Sequence, residues 1–176
     1  MSRSRGITLV EMLVALGLVA LLGGAAVPLI RTLLLEARMT EAVNALVHGI
    51  HAARQLAQTE MRDAVVCRST GAMQCSPPGD WSDGWIVFVN RDGDDPSMVD
   101  AGEPIVVAQQ RRVGVSMTSN RRAYVLHPSY LRATNGTVVF CDKRGARSAR
   151  AVVVSYTGRP RVAWRSASGR PLTCPR

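Results

Sequence analysis

The chain opens with a short basic leader that runs directly into an apolar segment of membrane length, in which one carboxylate, Glu11, is embedded. No residue from Met12 to Ile30 is charged. At about 1.5 Å of rise per residue, a helix over this run covers close to the ~30 Å hydrocarbon core of a bilayer. A charged side chain in that core costs roughly 2.5–3.5 kcal/mol, and intramembrane acids usually have a functional partner. The segment can therefore span a membrane, and Glu11 requires a function.

The Gly6/Ile7 junction after the basic leader, Glu11 four residues further on and Pro28 near the end of the apolar run resemble a type IV prepilin signal. The resemblance implies that a prepilin peptidase cleaves between Gly6 and Ile7, that the new Ile7 amine is methylated, and that the helix packs into a pilus or pseudopilus. Glu11 would then pair with the Ile7 amine of a neighbouring subunit, which would offset the cost of its burial. A secretory signal peptide cut at Gly24-Ala25-Ala26 and a plain membrane anchor are the alternatives, and neither gives Glu11 a role.

Beyond Pro28, apolar residues recur every three to four positions as far as Met61, as an amphipathic helix requires. One helix is therefore predicted from about Ile7 to Arg62, bent near Pro28, where a backbone donor is missing. After the helix, short runs rich in Val, Ile or aromatic residues are bounded by turn residues, and they predict eight strands at 64–68, 85–89, 104–109, 113–118, 123–127, 137–141, 151–156 and 161–165.

The predicted fold class is α+β: a long, kinked N-terminal α-helix packs on a C-terminal domain of two antiparallel sheets, as in pilins. Parallel βαβ units are excluded because no second helical pattern lies between the strands. The boundaries predict a leader peptide (1–6), a transmembrane or filament-core helix (7–30), its amphipathic half (31–62) and a periplasmic β-rich domain with a basic C-terminal region (63–176).

All four cysteines, Cys67, Cys75, Cys141 and Cys174, follow the membrane segment. Export to an oxidising compartment would convert this even number into disulfides, for which three pairings are possible. We favour Cys67 with Cys75, which closes a short Pro/Gly-rich loop, and Cys141 with Cys174, which ties the basic tail to a strand. A zinc site is the alternative, but no CxxC or CxxH pair exists to form it.

The net charge of +9 is concentrated near the C-terminus. Between Cys141 and Arg176 there are nine basic residues and one acidic residue, Asp142, which gives a local charge of +8. Such an asymmetry indicates a polyanionic partner, either nucleic acid or an anionic surface. The alternative is a solvated, solubilising surface.

Further segments resemble the GspH/FimT family of minor pilins and pseudopilins, namely Arg54–Ala57, Val65–Ser69 with Cys75 and Trp81, Gly84–Phe88, Asp100–Ile105 and Thr137–Phe140. The segment Tyr156–Val162 is similar to the Gly-Arg-x-Arg motif of FimT-type pilins that bind DNA in natural transformation. Gly158 would supply backbone freedom to this turn, and Pro160 would restrict Arg159. A guanidinium suits phosphate because its donor fork matches two oxygens in one plane.

We therefore predict a FimT-like minor type IV pilin that enters a pilus and binds extracellular double-stranded DNA for uptake in natural transformation. Arg159 and Arg161 would lead the contact beside Gly158, and long-range attraction would come from Lys143, Arg144, Arg147, Arg165 and Arg170. Arg38 and Arg54, on the helix, are expected to matter far less. The alternative is a GspH-like structural pseudopilin of a type II secretion system, or a pilus-priming minor pilin that does not bind DNA.

The expected partners are other pilin or pseudopilin subunits, prepilin peptidase, double-stranded DNA and the bacterial inner membrane. The chain would cross that membrane once, with a periplasmic C-terminal domain, and would lie in the pilus after assembly. His48 and His51 lack a third ligand, and no Ser/His/Asp or Cys/His arrangement stands out, so no enzyme activity and no cofactor are predicted.

The loop at 90–103 has acids at alternate positions, but it lacks the Gly and Glu that an EF-hand needs. A solvated turn is therefore the preferred interpretation, and no metal site is predicted. If a cation binds in this loop, Asp92, Asp94 and Glu103 are the expected ligands.

Overall fold

One α-helix, α1 (Leu9–Glu60), begins the structure, which is a computed structural model that describes Gly6 and residues 8–95, 98–129 and 132–175. The hydroxyl of Thr8 accepts a hydrogen bond from the backbone N–H of Glu11 at 3.3 Å, so it caps the start of the helix. The predicted helix is confirmed to within two residues at each end. Position 28 is α-helical, and the bend there stays a prediction; Ile7 lies outside the described residues.

The chain divides into two compact units, residues 1–37 and 38–176. In the first unit, the large apolar side chains between Leu9 and Leu34 are exposed in the isolated chain. Among the described residues, α1 is the one helix that is long and apolar enough to cross a membrane. An exposed apolar surface of this extent is typical of membrane or subunit contact.

Eight strands follow α1 in the second unit, as predicted. They pair antiparallel in two four-stranded sheets, with orders β3-β2-β1-β5 and β4-β6-β7-β8. Their bounds are β1 (Asp63–Arg68), β2 (Gly84–Asn90), β3 (Ile105–Gln110), β4 (Ser116–Ser119), β5 (Ala123–Leu126), β6 (Gly136–Cys141), β7 (Arg150–Val154) and β8 (Pro160–Ala163). The fourth strand starts later than expected because Val113 and Gly114 form a turn, in which Gly114 has a φ of +88°.

The main core lies between the two sheets and the part of α1 beyond residue 38. Leu46 and Ile50 of α1 are fully buried there, together with residues of both sheets. Trp85 packs so closely on α1 that a β-carbon at Gly49 would lie 2.4 Å from its Cη2. Trp81 meets Tyr124 edge to face at 5.7 Å. Both tryptophans are therefore core aromatics.

The outer face of each sheet is covered by a segment that a disulfide ties down. Cys67 is bonded to Cys75 beside the outer cluster of the first sheet, and Cys141 is bonded to Cys174 beside that of the second. These are the two favoured pairings. Leu172 in the C-terminal segment is buried against the second sheet. The basic tail is therefore held on the outer face of that sheet.

Candidate nucleic-acid interface

The turn that joins β7 to β8, residues 155–159, is held by a set of short hydrogen bonds. The N–H of Ser155 donates to the carbonyl of Arg159 at 3.1 Å, and the N–H of Gly158 donates to the carbonyl of Ser155 at 2.8 Å. The Ser155 hydroxyl accepts from the N–H of Arg159 at 3.0 Å and contacts the Thr157 hydroxyl at 2.9 Å. We call this segment the first turn. Its backbone is fixed before any ligand arrives.

Gly158 is required in the first turn for two reasons. Its φ is +69°, which an L side chain rarely adopts. It is also buried, and a β-carbon there would lie 2.4 Å from Nη2 of Arg54 and 3.0 Å from Cβ of Ala133. Sequence reasoning identified the first requirement only. α1 places the Arg54 guanidinium beside Gly158. The expectation that Arg54 matters far less for DNA binding than Arg159 and Arg161 stays a prediction.

Arg159 and Arg161 are both exposed. Within the described residues, neither guanidinium makes a hydrogen bond or ion pair with the chain. Arg161 pairs with Val153 across the β7–β8 ladder, and Val153 belongs to the outer cluster of the second sheet. Since directly paired residues share a face, Arg161 lies on that outer face. The two arginines therefore present their full donor sets to solvent at one corner of the sheet.

The other predicted basic residues fall into separate groups. Lys143 and Arg147 are exposed in the β6–β7 connection. That connection is at the opposite end of β7 from the first turn. Because β7 has five residues, its extended chain separates the two by about 17 Å. Arg165 donates to the carbonyl of Gly169 at 3.1 Å, and Arg170 donates from Nε to the Ser168 hydroxyl at 3.1 Å. Lys143 and Arg147 can therefore act on a ligand at the first turn only through their long-range electrostatic field.

Arg144 does not form part of the exposed positive surface that the sequence suggested. Its guanidinium donates to Oδ2 of Asp142 from Nη2 at 2.7 Å and from Nε at 2.9 Å, and Nε also donates to Oδ1 at 3.2 Å. The Asp142 side chain is fully buried, and it also accepts from the Arg144 backbone N–H at 2.8 Å. A buried carboxylate needs such a counter-charge. Arg144 is therefore a structural partner of Asp142.

Sequence reasoning missed basic residues that the fold brings to the first turn. Arg54 reaches it from α1, as described above. Arg132 is exposed and precedes Ala133, whose N–H donates to the carbonyl of Tyr156 in the turn at 2.7 Å. These residues are 105 and 27 positions from Arg159 in the chain. No local pattern links such distant positions, so only the packing of the β5–β6 connection and α1 against the turn reveals the cluster.

Two stretches of the chain match known protein families. The profile of the prokaryotic N-terminal methylation motif matches residues 1–27. The profile described as type II transport protein GspH matches residues 42–158. The chain belongs to the GspH family. Members are minor type IV pilins and pseudopilins, structural subunits rather than enzymes, and membership implies assembly with other pilin subunits.

The fold of this GspH-family chain is similar to that of the type IV minor pilin FimU of Pseudomonas aeruginosa strain PAO1. One FimU crystal structure, in space group P65, has a TM-score of 0.50 at 16% identity, over 77% of this chain and 98% of FimU. A second, in space group P21, has a TM-score of 0.51 at 16% identity, over 79% and 96%. No curated protein is significantly similar to the chain. The likeness to FimU shows the pilin fold, and the N-terminal motif with the apolar part of α1 fits a membrane-anchored pilin.

The acidic loop of this GspH-family chain is arranged differently from expectation. The carboxylates of Asp92, Asp94 and Asp100 have oxygens within 4.8 Å of one another. Glu103 is instead buried and accepts the backbone N–H groups of Arg91 at 2.8 Å and Asp100 at 3.0 Å. Glu103 therefore closes the loop as a structural acceptor. Asp100, and not Glu103, is the third carboxylate beside Asp92 and Asp94.

The neighbouring carboxylates of Asp92 and Asp100 affect the pKa of Asp94. Loss of hydration, followed by the negative charges and hydrogen bonds of Asp92 and Asp100, raises the pKa of Asp94 to about 6. The described part of the loop therefore carries negative charge, unlike the basic first turn. His48 and His51 are both exposed on α1, and among the described residues no third ligand groups with them.

Proposed function

We propose that this chain is a minor type IV pilin that binds extracellular double-stranded DNA through the first turn, for uptake in natural transformation. The observation that supports the proposal is the pair Arg159 and Arg161. Both are exposed, and neither has a partner among the described residues of the chain. Unpaired guanidiniums at the corner of a rigid sheet suit phosphate, because each offers a planar fork of donors.

The first turn is ordered before binding, so DNA contact would cost little backbone entropy. Arg54 and Arg132 add positive charge beside the turn, and Lys143 and Arg147 add a weaker field from the far end of the sheet. Contacts of this kind read phosphates and not bases, so binding would be independent of sequence and strongly dependent on salt.

The N-terminal region supports incorporation into a filament. In this proposal a prepilin peptidase removes residues 1–6, the amine of Ile7 is methylated, and Glu11 pairs with that amine in a neighbouring subunit. Residues 7–30 would anchor the chain in the inner membrane and then join the filament core. Residues 31–62 would continue the helix on a periplasmic domain formed by residues 63–176. Glu11 lies at the N-terminal end of α1, where the helix dipole also favours a negative charge.

A second candidate is a structural pseudopilin of a type II secretion system, which has no need of DNA. The family profile favours it by its description, and its match ends at Gly158, immediately before Arg159 and Arg161. Family membership by itself therefore says nothing about the two arginines on which DNA binding depends.

The experiment that separates these candidates is fluorescence anisotropy with a labelled 20-base-pair duplex and the full chain in a non-ionic detergent, over a salt series. Each phosphate contact adds about 0.9 to the slope of log affinity against log salt. Arg159→Gln combined with Arg161→Gln should therefore flatten the slope by roughly 2 and weaken binding.

Arg38→Gln is the matched control, because Arg38 is exposed on α1 and contacts the region of Gly114 instead of the first turn. Thermal unfolding of each variant checks that the fold is retained. Unchanged affinity and slope in the double variant would remove the first turn as the site. Absence of binding by the parent at low salt would favour the structural pseudopilin.

A further inference from the structure

The six-residue pattern that begins at Ser155, in the first turn, occurs twice in the chain. Ser155-Tyr156-Thr157-Gly158-Arg159-Pro160 is followed eleven residues later by Ser166-Ala167-Ser168-Gly169-Arg170-Pro171. Both copies read Ser, any residue, a hydroxyl residue, Gly, Arg, Pro. We call residues 166–170 the second turn. A six-residue pattern repeated at such a short interval suggests that the two segments have the same conformation.

The hydrogen bonds of the second turn reproduce those of the first, one for one. The N–H of Ser166 donates to the carbonyl of Arg170 at 2.9 Å, and the N–H of Gly169 donates to the carbonyl of Ser166 at 2.9 Å. The Ser166 hydroxyl accepts from the N–H of Arg170 at 3.1 Å and contacts the Ser168 hydroxyl at 3.1 Å. Gly169 has a φ of +79°, against +69° for Gly158. The two turns are structural equivalents, and Arg170 corresponds to Arg159.

The second turn lies over the outer face of the second sheet, on which Arg161 also lies. It borders an open cavity of about 450 Å³, whose polar lining residues include Asn120, Thr137, Ser166, Ser168 and Arg170. Thr137 pairs with Val153, and Val153 pairs with Arg161. Two strand spacings of about 4.8 Å therefore separate the backbone of Thr137 from that of Arg161, roughly 10 Å in all. The described residues that line the cavity include no carboxylate.

Arg170 has donors to spare in this position. Its side chain is exposed, and Nε donates to Ser168, which orients the guanidinium and leaves both Nη groups for a ligand. Arg165 supports the turn from below by donating to the carbonyl of Gly169. The isolated bridge between Arg165 and Pro171 closes the base of the turn. The second turn is therefore as well ordered as the first.

We propose that the second turn is a second phosphate-binding point, and that one DNA duplex contacts both turns of the same chain at once. This inference rests on the proposed function, because it has Arg170 bind the same DNA duplex as Arg159 and Arg161. A single phosphate group is too small to contact both Arg161 and the cavity beside Thr137, whose backbones lie roughly 10 Å apart. A duplex, in contrast, presents a charge every ~1.7 Å along its axis. Two contacts on one polyanion reinforce each other through a high effective concentration.

The test measures affinity, salt slope and stoichiometry of the full chain in non-ionic detergent with a labelled 20-base-pair duplex. Arg170→Gln should weaken binding about three- to tenfold and flatten the salt slope by about 1, and Arg159→Gln should have the same effect. Arg170→Lys should retain the slope, because the charge remains. Arg38→Gln is the control, and the parent should bind one duplex per chain.

Each outcome is distinguishable from failure of the proposed function. If Arg170→Gln binds like the parent while Arg159→Gln with Arg161→Gln does not, the second turn is not a contact and the first remains one. A stoichiometry of two duplexes per chain would overturn the shared duplex. If Arg170→Gln weakens binding to phosphatidylglycerol vesicles and leaves binding to the duplex unchanged, Arg170 contacts lipid and the proposal is overturned. If the parent binds no duplex at low salt, both proposals fail.

Discussion

The guanidinium of Arg54 on α1 lies so close to Gly158 in the first turn that a β-carbon at position 158 would come within 2.4 Å of Nη2. The contact joins residues 104 positions apart in the chain. It places a helix arginine directly beneath the turn that presents Arg159. The rigid core helix therefore supports the position of the turn, and a change at Gly158 should affect both stability and the presentation of Arg159.

Gly158→Ala is expected to lower the free energy of unfolding by about 2 kcal/mol, since alanine at positive φ costs roughly 1–2 kcal/mol and Arg54 must also move. Gly169→Ala is the matched control, because Gly169 has a similar φ but nothing within 4 Å of its β-position. It should cost about 1 kcal/mol, the strain alone. Thermal unfolding by circular dichroism measures both. Equal losses would show that the approach to Arg54 has no energetic consequence.

Arg144→Gln is expected to destabilise the fold by about 3 kcal/mol, because it leaves the buried Asp142 carboxylate without its counter-charge. Lys143→Gln, at the exposed neighbouring position, should change stability by less than about 0.5 kcal/mol. Chemical denaturation of the two variants decides the matter. A loss in Arg144→Gln no larger than that in Lys143→Gln would mean that solvent, and not Arg144, satisfies Asp142.

The acidic loop should make stability depend on pH between about 4 and 6. The pKa of Asp94 is raised from 3.8 to about 6 in the folded chain, so the folded state binds this proton more tightly than the unfolded state does. The stabilisation from that proton is fully present below pH 4 and is lost as the pH rises through 6. Asp94→Asn should reduce the change of melting temperature with pH over this range. An equally steep profile in the variant would assign the dependence to other groups.

Processing at the leader should give a mature chain that begins at Ile7 and has an N-methyl group. Intact-mass analysis of protein extracted from membranes measures this directly. Replacing Gly6 with a bulky residue should block cleavage, because the residue before the cut would crowd the peptidase site. Glu11→Ala should leave cleavage intact and weaken filament assembly. A mature chain that begins at Val27 would instead establish a secretory signal peptide.

Most of the fold could be predicted from the sequence because its signals are local. The apolar run and its amphipathic continuation define α1, and the alternation of short β-rich runs with turn residues defines eight strands. The favoured disulfides agree with the structure, in which the Cys67–Cys75 bond closes a short loop and the Cys141–Cys174 bond ties the basic segment to a strand. Gly158 was likewise predicted from turn chemistry alone.

The roles of individual charges, in contrast, were decided by the tertiary structure. Arg144 and Arg161 are equivalent as sequence letters, yet one faces a buried carboxylate and the other faces solvent. No metal site is predicted from the sequence, and Glu103 is an expected ligand only if a cation binds the loop at 90–103; the fold directs it to two backbone N–H groups. Arg54 and Gly158 meet only because α1 packs under the β7–β8 turn. Which elements form depends on neighbours within a few residues, so local patterns are enough to predict them. Which charges remain available to a ligand depends on partners that only chain folding brings together.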